Sequence, residues 1–175
     1  MARYQVRTLR RDDFDTLMNL EHTLFGECGE GTLGPYYVRL CCDFFPETCF
    51  VVEVEDKPVG YLLAFVRDKI GYCTTLAMLP EYQGTRALLA LLRAFTQAVV
   101  DRCDEVWFTV ESDNKAARSL HSMLGAEELE VRDDFYGAGH PRIISRIDRG
   151  GLERARARFE RLGLLGQRAR MGAAA

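Results

Sequence analysis

The sequence predicts one domain of the α/β class, either a three-layer α/β fold or a mixed sheet with helices. Segments rich in strand-type residues alternate along the chain with segments whose apolar residues recur at helical spacing. The length of 175 residues is near the usual size of a single domain. No internal repeat and no interdomain linker interrupts this alternation. Together these observations favour a single core.

Composition and charge argue against several function classes. The formal net charge of -3 disfavours a general nucleic-acid binder, because the phosphate backbone requires clustered positive charge. No apolar run is long enough for a transmembrane helix, and the first residues lack the apolar region of a signal peptide. We therefore expect no nucleic-acid partner, no membrane contact and a cytoplasmic location.

The cysteine pattern predicts free thiols. None of the six cysteines forms a C-x-x-C pair and two are adjacent, which suits neither a zinc site nor a regular disulfide framework. We interpret them as buried thiols in a reducing compartment and expect no metal. They are Cys28, Cys41, Cys42, Cys49, Cys73 and Cys103.

The first half of the chain predicts a strand, two helices and a hairpin. Residues 4–9 alternate apolar and polar side chains, and Asp12 or Asp13 is expected to cap the helix that follows. A glycine-rich loop leads to a second helix near Pro35, which is a favourable first-turn residue. Residues 50–65 then form a strand, a turn and a second strand.

The second half predicts strands that alternate with helices. The predicted strands are residues 72–78, 106–110, 129–133 and 143–147, and the helices begin after Gly84 and at Asp113, the second ending at Gly125. The arginine-rich tail predicts a solvated helix, with an anionic partner as the alternative. We therefore assign the domain to residues 1–149 and the tail to residues 150–175.

The strand at residues 72–78 runs through a tight loop into a helix start. Free backbone N–H groups and the positive end of the helix dipole suit a phosphate there, so residues 83–88 are expected to hold an anionic ligand. The run from Leu76 to Gly84 resembles the acetyl-CoA-binding motif of the GCN5-related N-acetyltransferase (GNAT) superfamily.

A second run supports this resemblance. Residues 114–125 are similar to that family's N-x-x-A-x-x-L-Y-x-x-x-G-F motif, in which asparagine and alanine lie against the cofactor. The resemblance covers about residues 3–148. It implies a GNAT-like domain with a mixed central sheet of about six to seven strands flanked by helices.

The resemblance also implies a reaction, which is transfer of an acetyl group from acetyl-CoA directly to a primary amine of a small molecule or peptide. Strand and loop backbone groups would pair with the pantetheine arm, the pyrophosphate and the oxyanion. Arg86 and Leu88 occupy two family glycine positions, unless one residue is deleted and Ala87 fills the second. We therefore expect a narrower loop with Arg86 as a phosphate partner. The implied cofactor-binding residues are Leu76, Ala77, Met78, Gln83, Gly84, Thr85, Arg86, Ala87, Leu88, Asn114 and Ala117.

Two catalytic residues follow from the same resemblance. His121 stands where the family often has a tyrosine that protonates the departing thiolate, and its unperturbed pKa of about 6.5 suits a donor. Its place beside an apolar stripe leaves a core histidine as the alternative. Tyr72 stands at the position of a glutamate base, where it would orient the acceptor or relay a proton, or else pack on the strand. The base itself stays open among Glu21, Glu27, Glu30 and His140.

The family's acceptor pocket is formed by the first helical hairpin and the last strand loop. Acidic and aromatic side chains there would suit a cationic amine, although the glutamates could equally be solvated loop charges. The implied substrate-binding residues are Phe25, Glu27, Glu30, Tyr36 and Tyr136. Alternative functions are a catalytically weak acyl-CoA-binding or sensing module and an acyltransferase for a longer acyl chain. A homodimer is common in such folds.

Overall fold

The computed structural model describes residues 3–26 and 32–162 of the chain. Within them the strands are β1 (Tyr4–Thr8), β2 (Phe50–Val54), β3 (Lys57–Arg67), β4 (Ile70–Met78), β5 (Glu105–Val110), β6 (Glu127–Arg132) and β7 (Arg142–Asp148). The helices are α1 (Phe14–Phe25), α2 (Pro35–Asp43), α3 (Arg86–Val100), α4 (Lys115–Leu124) and α5 (Arg149–Arg161). All seven strands join one sheet in the order β1-β2-β3-β4-β5-β7-β6. The predicted helix-flanked mixed sheet is therefore confirmed.

The centre of the sheet opens between β4 and β5. These two strands are parallel, and their pairing runs from Ile70↔Glu105 only to Cys73↔Phe108. Beyond that point β4 continues along β3 as far as Met78, after a bulge in which Thr74 is the extra residue. The backbone of β4 past Cys73 is thus unpaired on the side of β5. We call this opening the fork.

Helices cover the two faces of the sheet unequally. One face, here called the α3 face, carries the larger core cluster, in which Leu62 and Phe108 pack against α3, α4 and α5. The opposite face, here called the α1 face, carries a smaller cluster in which Tyr61 and Leu63 pack against α1 and α2. Successive strand side chains alternate between these faces. The covering helices α1 and α2 contact the strands around β3 rather than β5.

Local signals set most element ends, and two of the predicted caps differ in detail. Pro35 begins α2 and Gly125, at φ 90°, ends α4, as predicted. Asp13 is the N-cap residue of α1, as predicted, but its carboxylate bonds no helix N–H group and instead accepts a hydrogen bond from the Arg7 guanidinium at 2.7 Å. The cap of α4 is Asn114, one residue later than predicted.

The arginine-rich helix α5 belongs to the packing of the sheet. Leu152, Ala155 and Phe159 are buried on one side of it, and it lies against α3. Glu153 and the arginines between these positions face outward, as the predicted solvated side of a helix requires. The division at residue 149 stays a prediction, and residues 163–175 lie outside the described part. No helix among the described residues is long and apolar enough to cross a membrane.

Candidate active site

The end of β4 forms the first wall of the fork. Ala77 and Met78 are buried, whereas Leu76 is half-buried although it lies in the middle of the sheet. The Gln83 side chain donates from Nε2 to the Met78 carbonyl at 3.1 Å, which ties the following loop to the strand. Unpaired strand backbone of this kind suits an extended amide-containing ligand.

The loop before α3 presents a helix start to solvent. Gly84 has φ 72°, and a Cβ there would meet nothing within 4 Å. The Thr85 hydroxyl accepts from the Ala87 N–H at 3.3 Å and so caps the helix. Arg86 is exposed and available to an anion. Free first-turn N–H groups and the helix dipole make this loop fit a phosphate group.

Leu88 does not narrow that loop. Its side chain is only 7% exposed and packs in the larger core cluster, as does that of Ala87. The family glycine positions are thus occupied by one side chain that faces the core and by Arg86, which is long and flexible. The expectation of a narrower loop is therefore wrong for Leu88 and stays a prediction for Arg86.

Helix α4 places Asn114, Ala117 and His121 along the side of β5. The Asn114 side chain accepts from the Ala117 N–H at 3.0 Å, so its carbonyl oxygen serves the helix cap. Its amide group remains exposed. Contact of Asn114 and Ala117 with a cofactor stays a prediction.

His121 is mostly buried against β5. Its ring lies 4.7 Å from the ring of Phe108, centroid to centroid, and no group within the described residues hydrogen-bonds its Nδ1. Burial lowers the His121 pKa to about 4, against the opposing effect of the Glu128 carboxylate. The imidazole is therefore neutral near pH 7 and holds no extra proton. Its role as the acid stays a prediction, and the environment fits the alternative of a core histidine equally well.

A chain of hydroxyl groups lies on the α1 face at the closed end of the fork. The Tyr72 phenol and the Thr109 hydroxyl are hydrogen-bonded at 2.8 Å, which bridges β4 and β5. The Tyr136 phenol adjoins them. Burial raises the Tyr72 pKa to about 12, with the Thr109 bond opposing this and Tyr136 adding to it. Tyr72 is thus a poor base, and the structure brings it together with Tyr136.

Two charged residues that the sequence analysis missed complete this group. The Arg142 guanidinium lies over the Tyr136 ring at 4.9 Å and pairs with the Glu111 carboxylate at 2.8 Å. Thr109 was missed as well. The only signal for Thr109 and Glu111 was the alternation of β5, which places both on the face opposite Phe108.

The other predicted acceptor residues are not shown to join the cluster of Tyr72, Thr109 and Tyr136. Tyr36 is 79% exposed on α2, and Phe25 packs at the edge of the smaller cluster. Glu27 and Glu30 lie outside the described residues. Their roles stay predictions.

Of the open candidates for the base, Glu21 is buried and accepts from the Leu33 N–H at 2.7 Å. Burial raises its pKa. His140 is exposed in the loop between β6 and β7. No group of three or more metal-ligating side chains is found in the described part of the chain.

A comparison with known proteins identifies the family of this chain. Residues 14–126 match the model of the "Acetyltransferase (GNAT) family". The chain belongs to that family. It is similar to an uncharacterized N-acetyltransferase of Methanocaldococcus jannaschii, with 23% identity over 79% of this chain and 88% of the relative. The chain is thus an acyltransferase of the GNAT superfamily.

Solved structures of the family share the fold. Diaminobutyrate acetyltransferase EctA from Paenibacillus lautus, in complex with L-2,4-diaminobutyric acid and coenzyme A, is 18% identical with a TM-score of 0.68. The match covers 85% of this chain and 96% of that one. Arabidopsis thaliana Naa50, in complex with the bisubstrate analogue CoA-Ac-MVNAL, is 18% identical with a TM-score of 0.67 over 83% and 98% of the two chains.

Proposed function

We propose that this protein transfers an acetyl group from acetyl-CoA directly to a primary amine of a small molecule or peptide. The observation that carries the proposal is the fork. The start of α3, which suits a phosphate, lies beside one wall of the fork, and the hydroxyls of Tyr72 and Thr109 lie on the opposite face of the sheet. A donor and an acceptor would thus meet through the sheet from opposite faces.

The donor would lie along β4 and α3. The backbone groups of Leu76, Ala77 and Met78 would hold the pantetheine arm and the thioester carbonyl, and residues 83–88 would hold the pyrophosphate. When bound, acetyl-CoA supplies the activated acyl group. The backbone of β4 is held in place by its pairing with β3. The β4 N–H groups that point into the fork can therefore stabilise negative charge on a carbonyl oxygen without reorganising.

The acceptor amine would approach from the α1 face. The Tyr72 ring would suit a cationic amine, whereas the Glu111 carboxylate and the Tyr136 ring already contact the Arg142 guanidinium. The amine must lose a proton to become a nucleophile. The protonated phenol of Tyr72 can orient the amine while that proton passes along the hydroxyls of Tyr72, Thr109 and Tyr136. The exposed Tyr136 would connect this group with solvent.

The proton required by the departing sulfur is the harder assignment. A neutral His121 can deliver a proton at its ring only after receiving one, so it would act as a shuttle within one turnover. We keep His121 as the candidate. If the His121→Ala variant kept full turnover across the neutral and alkaline pH range, His121 would not be the acid.

The test is CoA release with acetyl-CoA and a panel of amines that includes diaminobutyrate and short peptides. We expect transfer to at least one amine, and CoA binding without transfer to any would favour the sensing module. Tyr72→Phe and Thr109→Val should each slow transfer about tenfold while leaving acetyl-CoA binding unchanged. Because the two hydroxyls act as one pair, the double variant should be no slower than the slower single variant. Fully additive losses would contradict a joint role.

Two further expectations are kept as proposals. Five cysteines among the described residues are free thiols, and four of them are buried, which accords with a reducing cytoplasm. A homodimer would be tested by the molar mass in solution.

A further inference from the structure

A second hydroxyl pair lies where the fork begins. The phenol of Tyr37, on α2, is hydrogen-bonded to the Thr74 hydroxyl. Thr74 is the bulge residue and the first residue of β4 beyond the segment paired with β5. Tyr37 therefore reaches from a helix to the point where the two strands separate.

The direction of this hydrogen bond is set by a second one. The Thr74 hydroxyl donates its single proton to the Leu63 carbonyl at 3.1 Å. It can then only accept from Tyr37, so the phenol is the donor. Burial raises the Tyr37 pKa, which keeps that phenol protonated. The two hydroxyl groups thus have all their protons committed.

The Tyr37 ring is held in place by other aromatic rings. It meets Phe65 edge to face at a centroid distance of 5.9 Å, and Phe65 meets Phe45 at 5.2 Å. Phe65 pairs across the strands with Tyr72, so these rings adjoin the Tyr72–Thr109 bridge. A side chain fixed on both its ring and its hydroxyl forms a rigid wall.

Such a wall would resist an alkyl chain. A longer acyl group directed at it would have to displace the ring and leave the half-buried Tyr37 phenol without its acceptor, the Thr74 hydroxyl. Selectivity for acetyl requires that this two-carbon group end before it reaches the pair. Resting on the proposed function, we propose that Tyr37, held by Thr74, is the residue that restricts the acyl donor to short chains.

The experiment measures kcat/KM for acetyl-, propionyl-, butyryl- and hexanoyl-CoA with one amine. Wild-type protein should prefer acetyl-CoA, and Tyr37→Leu should reduce the ratio of acetyl to butyryl by about tenfold or more. Tyr37→Phe keeps the ring and removes only the hydroxyl, so it should reduce the ratio less. The matched control is Tyr61→Phe, since Tyr61 is a buried tyrosine in the same cluster whose hydroxyl has no partner among the described residues.

A binding measurement keeps the proposal independent of turnover. Thermal-shift titrations with the same acyl-CoAs should show butyryl-CoA stabilising Tyr37→Leu more than it stabilises wild type, relative to acetyl-CoA. An unchanged chain-length profile in folded Tyr37→Leu, or an equal change in Tyr61→Phe, would overturn the assignment to Tyr37. Wild-type protein that binds no acyl-CoA at all would instead contradict the proposed function.

Discussion

The two sides of the fork differ in how their residues are spaced along the sequence and in the chemical groups that they present. The side of β4 and α3 is continuous in sequence, is backed by the larger core cluster, and presents backbone groups. The opposite side is assembled from α2, β4, β5 and the segment between β6 and β7, and presents side-chain hydroxyls, rings and charges. We expect the first side to bind the donor through backbone groups, whereas the second contacts the acceptor and the end of the acyl group.

The largest expected difference between the two sides is in stability. Leu91 and Leu17 are both fully buried, Leu91 in the larger cluster beneath α3 and Leu17 in the smaller one on α1. We expect Leu91→Ala to lower the free energy of unfolding by about 4 kcal/mol and Leu17→Ala by about 2–3 kcal/mol. The cavity near α1 can collapse more easily, because that helix has fewer neighbouring elements than α3. Denaturant unfolding measures both, and equal losses would contradict the comparison.

The next effect is a pH dependence on the side of α4. The native pKa of His121, about 4, lies below the unfolded value of about 6.5, so the unfolded chain binds the proton first. Stability should therefore fall as the pH drops from about 6.5 to about 4, by up to about 3 kcal/mol from this residue. His121→Gln should remove that part of the pH dependence. The exchange of the exposed His22 for Gln is the control, and an equal effect of both variants would refute the assignment.

The smallest effect separates the two ligands. Gly84, before α3, and Gly139, between β6 and β7, both have positive φ angles, 72° and 79°, and open space around the position of a Cβ. Valine at either place strains the backbone in the same way. Gly84→Val should raise the KM for acetyl-CoA by about tenfold, a change of about 1.4 kcal/mol in binding free energy. The KM for the amine should stay unchanged.

Gly139→Val should show the reverse pattern, because its segment carries Tyr136 and adjoins Arg142. Steady-state kinetics with each substrate varied in turn measure both constants. If both variants changed the same KM, donor and acceptor would not approach from opposite sides of the fork.

Sequence reasoning succeeded where the signal was local. The strand–loop–helix unit around Gly84 and the helix end at Gly125 follow from propensity and backbone freedom within a few residues. Asp13 is the N-cap residue of α1, as expected, but its carboxylate does not bond the helix and binds Arg7, a residue of the preceding strand.

The sequence by itself determined the fold class and the family and predicted the donor-binding segment of residues 76–88, since these rest on contiguous segments whose patterns need no distant partner. Only the tertiary structure decided that Tyr37 meets Thr74 and that Tyr72 meets Thr109. Each of these pairs is separated by 37 residues. No periodicity or propensity connects residues so far apart, because their contact depends on how strands pair and where a bulge turns a side chain.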